Sequence, residues 1–399
     1  MADDPMDFRA ALVDEVLPFW ERSVDREHGG FITEIDVDGN RHGAGEKHIV
    51  MQTRMIYSFS LGYRLTGQKA YLEHAAQGVE FFRRHFWDER HGGWFRTTSR
   101  QGEPIDEHKW PYGIAFAAYA LADYARAGGD RAALDLAVET YELHRRHGWD
   151  SRRGGVYWNL ARDWSPTDPT KRIDSMLHTM EGASSLLAAT GDERYLRDLG
   201  ELCDTIMSRT YDQRNGCTRE WFTPDWQEAT ERSRGLVNYG HIAEAAWFVA
   251  SVAAFTGERR PADFARSLLG YVMRRGWDRQ HGGIYSLGHA DGAVLDPGKT
   301  WWMQAEMLGA LSLAYRLTGD ALYRDWLREQ AAFVHRRQRD RRDGEWYSSV
   351  YADGTIRDGR KGSPSKAAYH VAQGLHHAAR NLALREAGGA TGEWEEFAL

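Results

Sequence analysis

A seven-residue segment returns six times along the 399-residue chain and constrains its fold more than any other feature. It reads DREHGGF from Asp25, DERHGGW from Asp88, DSRRGGV from Asp150, DQRNGCT from Asp212, DRQHGGI from Asp278 and DRRDGEW from Asp340, at spacings of 63, 62, 62, 66 and 62 residues. A second series is interleaved with it. Helical stretches close at Gly67, Gly129, Gly191, Gly257, Gly319 and Gly389, spaced by 62, 62, 66, 62 and 70 residues. Two series that keep one period from end to end mean one structural unit copied six times.

Each unit reads as two helices. Lys69 to Trp87 carries apolar and aromatic residues at helical spacing and stops before the Asp88 turn. Short alternating runs follow the glycine turns, such as WFRTT and VYWNL, and read as small hairpins. A second helix then starts, for example over Pro111 to Ala127, and closes at a glycine, the usual residue just past a helix C-terminus. The second helices, near 50–66, 110–127, 176–190, 240–256, 300–318 and 366–387, are rich in Ala, Gly, Leu and aromatic residues, whereas the first carry more Arg, Glu and Asp. A pair cannot bury its apolar face alone, so neighbours must stack. The expectation is an all-α fold, an (α/α)6 barrel spanning 1–399 as one domain. The second helix of each unit lies inside the first, and short β-hairpins occupy one face.

The net charge of -7, from 51 basic and 58 acidic residues with no basic block, argues against nucleic acid as a partner. No stretch approaches the roughly 18 apolar residues of a membrane span, and the acidic start MADDPMDFRAALVDEV is unlike a signal peptide. Cys203 and Cys217 are too few for a disulfide framework and lack metal-ligand spacing. These features predict a cytoplasmic protein, monomer or homodimer, without a membrane partner. Neither a Walker-type phosphate loop nor a G-x-S-x-G nucleophile elbow is present.

All six inner helices start after a hairpin, so their N-termini face one side. Counting back thirteen positions from Gly67, Gly191, Gly257 and Gly319 reaches Arg54, His178, Glu244 and Glu306. His241 lies three residues before Glu244, His370 starts the sixth inner helix, and Trp301 and Trp302 start the fifth. Ionisable groups in a buried layer are costly unless paired or functional, and here they gather at one end of one cavity. Plainer readings stay open: Glu244 and Glu306 as first-turn carboxylates that complement helix dipoles, Arg54 as an internal ion-pair partner, the tryptophans as core. His28, His91 and His281 recur with the turn motif and read as structural. A metal at His178-x-x-Glu181 or His241-x-x-Glu244 competes with these readings, but neither matches a di-iron or zinc-protease pattern, so no metal is expected. A glycosidase would need two opposed carboxylates, for which Glu244 and Glu306 are the candidates.

At these residues the chain resembles the N-acylglucosamine 2-epimerase and cellobiose 2-epimerase family. The matching segments are MQTRMIYSFSLGYRLTG around Arg54, KWPYGIAFAAYAL around Tyr112, MLHTMEG around His178, NYGHIAEAAW from Asn238 through His241 and Glu244, KTWWMQAEML across Trp301 to Glu306, and SPSKAAYH ending at His370. The resemblance implies an α/α six-fold barrel and cofactor-independent proton transfer at C2 of a reducing sugar. His241 and His370 would be the acid/base pair on opposite faces of the sugar, and Arg54 and His178 would hold the carbonyl oxygen. Glu244 would orient or charge-balance His241, while Tyr112, Asn238, Trp301, Trp302, Glu244 and Glu306 would line the sugar pocket. The same residues would make a ketose if the proton were relayed to C1, as in a mannose isomerase. Disaccharide-acting members usually carry tryptophan where this chain has Ser365, which leans the expectation towards a monosaccharide such as mannose or glucose.

Overall fold

The computed structural model describes residues 4–42 and 45–388. Among them, six helices of 18 residues each form the inner layer: Ile49–Thr66, Pro111–Gly128, Ile173–Thr190, Tyr239–Thr256, Trp301–Thr318 and Tyr369–Glu386. The first five end on Gly67, Gly129, Gly191, Gly257 and Gly319, each in the left-handed region with φ between 70° and 71°. An L-residue there would strain its Cβ against the following carbonyl, so glycine is what lets the chain reverse within one residue. The sixth ends at Ala387 instead, and the expected closing Gly389 lies outside the described residues.

Each inner helix packs against the next, and the sixth returns to the first, closing the ring. Outer helices cover this layer at 8–20, Lys69–Phe86, 131–148, 194–210, 259–276 and 321–338. Their apolar residues follow helical spacing, as in Lys69–Phe86, which buries Tyr71, Ala75, Val79, Phe82 and Phe86 on one face. The inner helices are buried almost all round; the first is buried without a break from Ile49 to Gly62. One pairing departs from the sequence expectation. The sixth pair is not consecutive in the chain, because the N-terminal helix 8–20 packs against Tyr369–Glu386. Trp20 Nε1 donates to Glu345 Oε2 at 2.5 Å, and Arg339 pairs with Glu15, so residues more than 300 positions apart hold the seam shut.

The recurring aspartate is the anchor of each turn. Asp88, for instance, accepts the backbone N–H of Arg90 and holds Lys109 Nζ at 3.0 Å, both side chains fully buried. Equivalent buried lysine pairs form at Asp25–Lys47 (3.2 Å), Asp150–Lys171 (2.9 Å), Asp278–Lys299 (3.1 Å) and Asp340–Lys361 (2.9 Å). Burial pushes Lys47 and Lys299 down to about 8, against the pull of their aspartates. The hairpins stitch neighbouring units together on the side of the inner-helix N-termini: Lys47–His48 pairs with Thr97–Thr98, which pairs with Pro104–Asp106. Among the described residues no helix is long and apolar enough to cross a membrane. Cys203 and Cys217 are buried and unpaired.

Candidate active site

When the six inner helices are aligned on their first residues, the second position reads Val50, Tyr112, Asp174, Gly240, Trp302 and His370. The sixth position, one turn further along the same face, reads Arg54, Phe116, His178, Glu244, Glu306 and Gly374. These two layers meet inside the ring, where a cavity of about 360 Å³ opens towards the hairpins. Arg54, Tyr112, His178, Glu244, Trp302 and His370 line it, and His241, Asn238 and Trp301 stand on its wall from neighbouring positions. Of the six ionisable groups expected to gather at this end, Arg54, His178, His241, Glu244 and His370 line one space, and Glu306 does not.

Each of the three imidazoles has Nδ1 bound to a carboxylate that does not line the cavity. His178 meets Glu181 at 2.5 Å within its own helix, His370 meets Glu306 at 2.7 Å across to the fifth inner helix, and His241 meets Glu220 at 2.7 Å on the hairpin side. A carboxylate accepts, so it fixes the proton on Nδ1 and leaves Nε2 as the nitrogen available to a ligand. Burial holds His178 below its ordinary pKa despite Glu181. It holds His370 further below, with Arg54, His178 and His241 adding repulsion. Both are therefore neutral bases at neutral pH. The Trp302 ring sits between two of the imidazoles, its centroid 4.9 Å from His241 and 5.5 Å from His370. Gly240 makes that seat, since a Cβ there would lie 2.7 Å from the Trp302 ring.

Arg54 supplies the fixed cation. One of its terminal nitrogens donates to the Ser365 carbonyl and the other to the Tyr112 hydroxyl at 2.9 Å, while its guanidinium lies over Phe116 (4.6 Å) and Tyr369 (5.0 Å). Its Nε is buried without an acceptor. Tyr112 also packs edge-on to His178 at 4.9 Å, and burial raises its phenol well above the usual range. Asn238 caps the fourth inner helix through Oδ1, accepting the His241 N–H at 3.1 Å, and Trp301 lies under the Lys366 ammonium at 5.0 Å.

Two expected roles are corrected. Glu306 is not on the cavity wall: it sits behind His370, and its second oxygen accepts Trp247 Nε1–H at 2.7 Å. Glu244 does not hold His241, because Glu220 does. The carboxyl of Glu244 is fully buried on the cavity floor with no hydrogen-bond partner, His178 Nε2 standing 3.7 Å from it. Burial raises both Glu244 and Glu306, the latter to about 8 against the Trp247 N–H, and each charge would repel the other. Glu306 has two donors and Glu244 none, so the proton between them belongs on Glu244.

Among the described residues, Glu244, Glu306 and His370 are the group that could surround a cation, with ligand atoms within 4.8 Å of one another. Both Glu306 oxygens are already engaged by His370 and Trp247, so that donor set does not suit a metal without breaking the His370 pairing. The glycosidase reading fails on the same geometry. Glu244 and Glu306 are neighbours, with Glu306 shielded from the cavity, not a pair facing each other across it.

Residues 30–374 match the model of the N-acylglucosamine 2-epimerase (GlcNAc 2-epimerase) family. A cellobiose 2-epimerase of Bacteroides fragilis is 29% identical over 378 residues, 90% of this chain and 94% of that protein. A D-mannose isomerase of Marinomonas mediterranea is 25% identical, over 96% of this chain and 99% of its own length. The solved structure of cellobiose 2-epimerase from Spirochaeta thermophila has the same fold, with a TM-score of 0.87 at 29% identity over 95% of this chain and 96% of that one.

Proposed function

Because the chain belongs to the N-acylglucosamine 2-epimerase family, we propose that it interconverts the C2 epimers of a reducing sugar of the mannose/glucose type by cofactor-independent proton transfer. The observation that carries this reading is the set of three imidazoles, each oriented through Nδ1 by its own carboxylate and each offering Nε2 to one cavity beside a buried guanidinium.

The C2–H of an open-chain aldose is acidic enough to remove only when the enediolate that forms is stabilised as it forms. Arg54 stands ready for the developing negative charge on O1. His370, neutral and backed by Glu306, takes the C2 proton, and His241, backed by Glu220, returns one to the opposite face. Each such group contributes about 10²–10⁴-fold. The Nδ1–H of His178 belongs to Glu181, so its Nε2 accepts a sugar hydroxyl instead of donating to the carbonyl as expected from the sequence. Tyr112, Asn238, Trp301 and Trp302 form the walls around the ring. The substrate is a small free sugar, and two buried unpaired thiols suit a reducing cytoplasm.

Relatives of both kinds, 2-epimerase and mannose isomerase, support a second reading on the same residues, in which the proton goes back to C1 and a ketose forms. Incubation with mannose or cellobiose in deuterium oxide separates the two by proton NMR. Epimerisation puts deuterium at C2 of glucose or of the C2-epimeric disaccharide; ketose formation gives fructose-type signals. Sugars that keep their C2 protons would end both readings.

A further inference from the structure

The cavity holds bases in plenty, and deprotonation at C2 is easier still where, beside the Arg54 cation, an acid hands O1 a proton. His178 and His370 are neutral imidazoles whose N–H bonds are committed to Glu181 and Glu306. Arg54 donates hydrogen bonds but does not release a proton. The Tyr112 phenol is pushed further from acidity by burial. Glu244 is different: it is 0% exposed, lies on the cavity surface and has no donor on either oxygen. An ionised carboxylate so placed would be unsolvated and unpaired, a state that costs far more than simply keeping the proton.

We propose that Glu244 is the proton donor to O1, a catalytic acid distinct from the two histidines that work at C2. This rests on the sugar-epimerase reading above. His370 Nε2 takes the C2 proton, the C–H pair becomes the C1=C2 bond, and the carbonyl π pair moves to O1. O1 takes the Glu244 proton as that O–H bond breaks, which leaves a neutral enediol, an imidazolium and a carboxylate. In the return half the carboxylate takes the O1 proton back, the O–H pair becomes the carbonyl π bond, and the C1=C2 pair takes, on the other face, the Nε2 proton of His241, which enters the turnover as an imidazolium. The turnover ends with His370 protonated and His241 neutral, and one proton released to solvent and one taken from it reset the pair. The sugar intermediate therefore never carries the full charge of a free enediolate.

The groups that face Glu244 are suited to this cycle. Glu306 from the fifth inner helix, with Glu181 and Asp174 from the third, favour its protonated form, while Arg54 from the first limits the cost of the transient carboxylate. His178 Nε2 at 3.7 Å and His370, with a ring nitrogen within 4.8 Å, complete the surroundings. Since folding raises the Glu244 pKa, the folded state holds a proton that the unfolded chain has lost above the ordinary carboxylate range. Stability therefore falls as pH rises from that range to the folded value, and Glu244→Gln makes the fall smaller.

The test compares wild type, Glu244→Gln and Glu244→Ala for deuterium uptake at C2 of mannose, with thermal melting as the control for folding. Glu244→Ala is expected to lose about 10²–10⁴-fold in turnover. Glu244→Gln, which still donates to O1 but transfers no proton, is expected to keep at least about tenfold more than Ala and to lose the alkaline limb of the pH profile. Infrared spectra at neutral pH supply a readout independent of activity and of the Ala variant's folding. The carbonyl stretch of a protonated carboxylic acid is present in wild type and weakened in Glu244→Gln. A folded Gln variant no better than Ala, or an infrared band unchanged by the substitution, overturns the proposal while leaving the two-histidine reading intact. A wild type without C2 exchange overturns that reading instead.

Discussion

Four of the six repeats lead into their inner helices in one way, and the fourth and sixth do not. In the first, second, third and fifth repeats a lysine two residues before the helix, Lys47, Lys109, Lys171 or Lys299, returns to the turn aspartate 21 or 22 residues behind it. In the fourth, that place holds Val237, Asp212 pairs with Arg219 at 3.0 Å, and a helical turn at Thr230–Ser233 lengthens the connection. In the sixth, Lys361 makes the usual pair with Asp340, but the helix waits until Tyr369, and the intervening segment brings the Ser365 carbonyl to Arg54 and Lys366 to Glu345. The departing repeats are the two that carry His241 and His370. A repeat that bears a reacting group is released from the consensus that only holds the ring together.

Substitution at either histidine gives the largest effect. His241→Ala and His370→Ala each lower epimerisation by about 10²–10⁴-fold, and their melting temperatures stay close to wild type, since both side chains face a cavity. Epimerisation rates measured beside thermal melts check this. The regular repeats respond in the opposite sense. Lys299→Ala leaves Asp278 buried without its cation and costs about 3–5 kcal/mol of stability, with turnover little changed once the protein is folded. Arg219→Ala, whose ion pair with Asp212 is partly exposed, costs about 1 kcal/mol or less. Urea unfolding of the two variants measures that contrast directly.

Glu220→Gln sharpens the comparison from the irregular side. It keeps the size of the side chain while weakening the hold on His241 Nδ1, and turnover drops about 10–100-fold with stability near wild type. A drop with an unchanged pH profile would mean Glu220 only supports the hairpin. The smallest effect is expected in the sixth repeat. Ser365→Trp adds an aromatic face at the cavity rim and improves kcat/KM for cellobiose relative to mannose by about 2–10-fold, as expected for one aromatic stacking contact. Paired assays on the two sugars read it out.

The ring, its six inner helices and the level of its ionisable residues were legible because each follows from a repeat period and a closing glycine, both local in sequence. Arg54, His178, Glu244 and Glu306 share one distance from a closing glycine, and Phe116, the same distance before Gly129, completes that layer under the Arg54 guanidinium. Carboxylate partners were not legible, because they depend on which way a side chain turns. His178-x-x-Glu181 and His241-x-x-Glu244 share a spacing, yet only the first pair bonds: His178 stands at the sixth helix position and leans inward, whereas His241 stands at the third and reaches the hairpin. Glu220 lies in a loop with no motif of its own. Its signal was the 66-residue spacing, four longer than its neighbours, which marked the fourth repeat as rebuilt. The sixth pair, made from the two ends of the chain, was hidden for the same reason, since no local pattern says where a ring closes.

The central claim is that the fourth and sixth repeats place two bases on opposite faces of C2, and half-reaction exchange tests it most directly. In deuterium oxide, His241→Ala should exchange the C2 proton of one epimer without interconverting the pair, and His370→Ala should exchange that of the other epimer. Exchange of the same epimer by both variants, or undiminished epimerisation by either, would contradict the account.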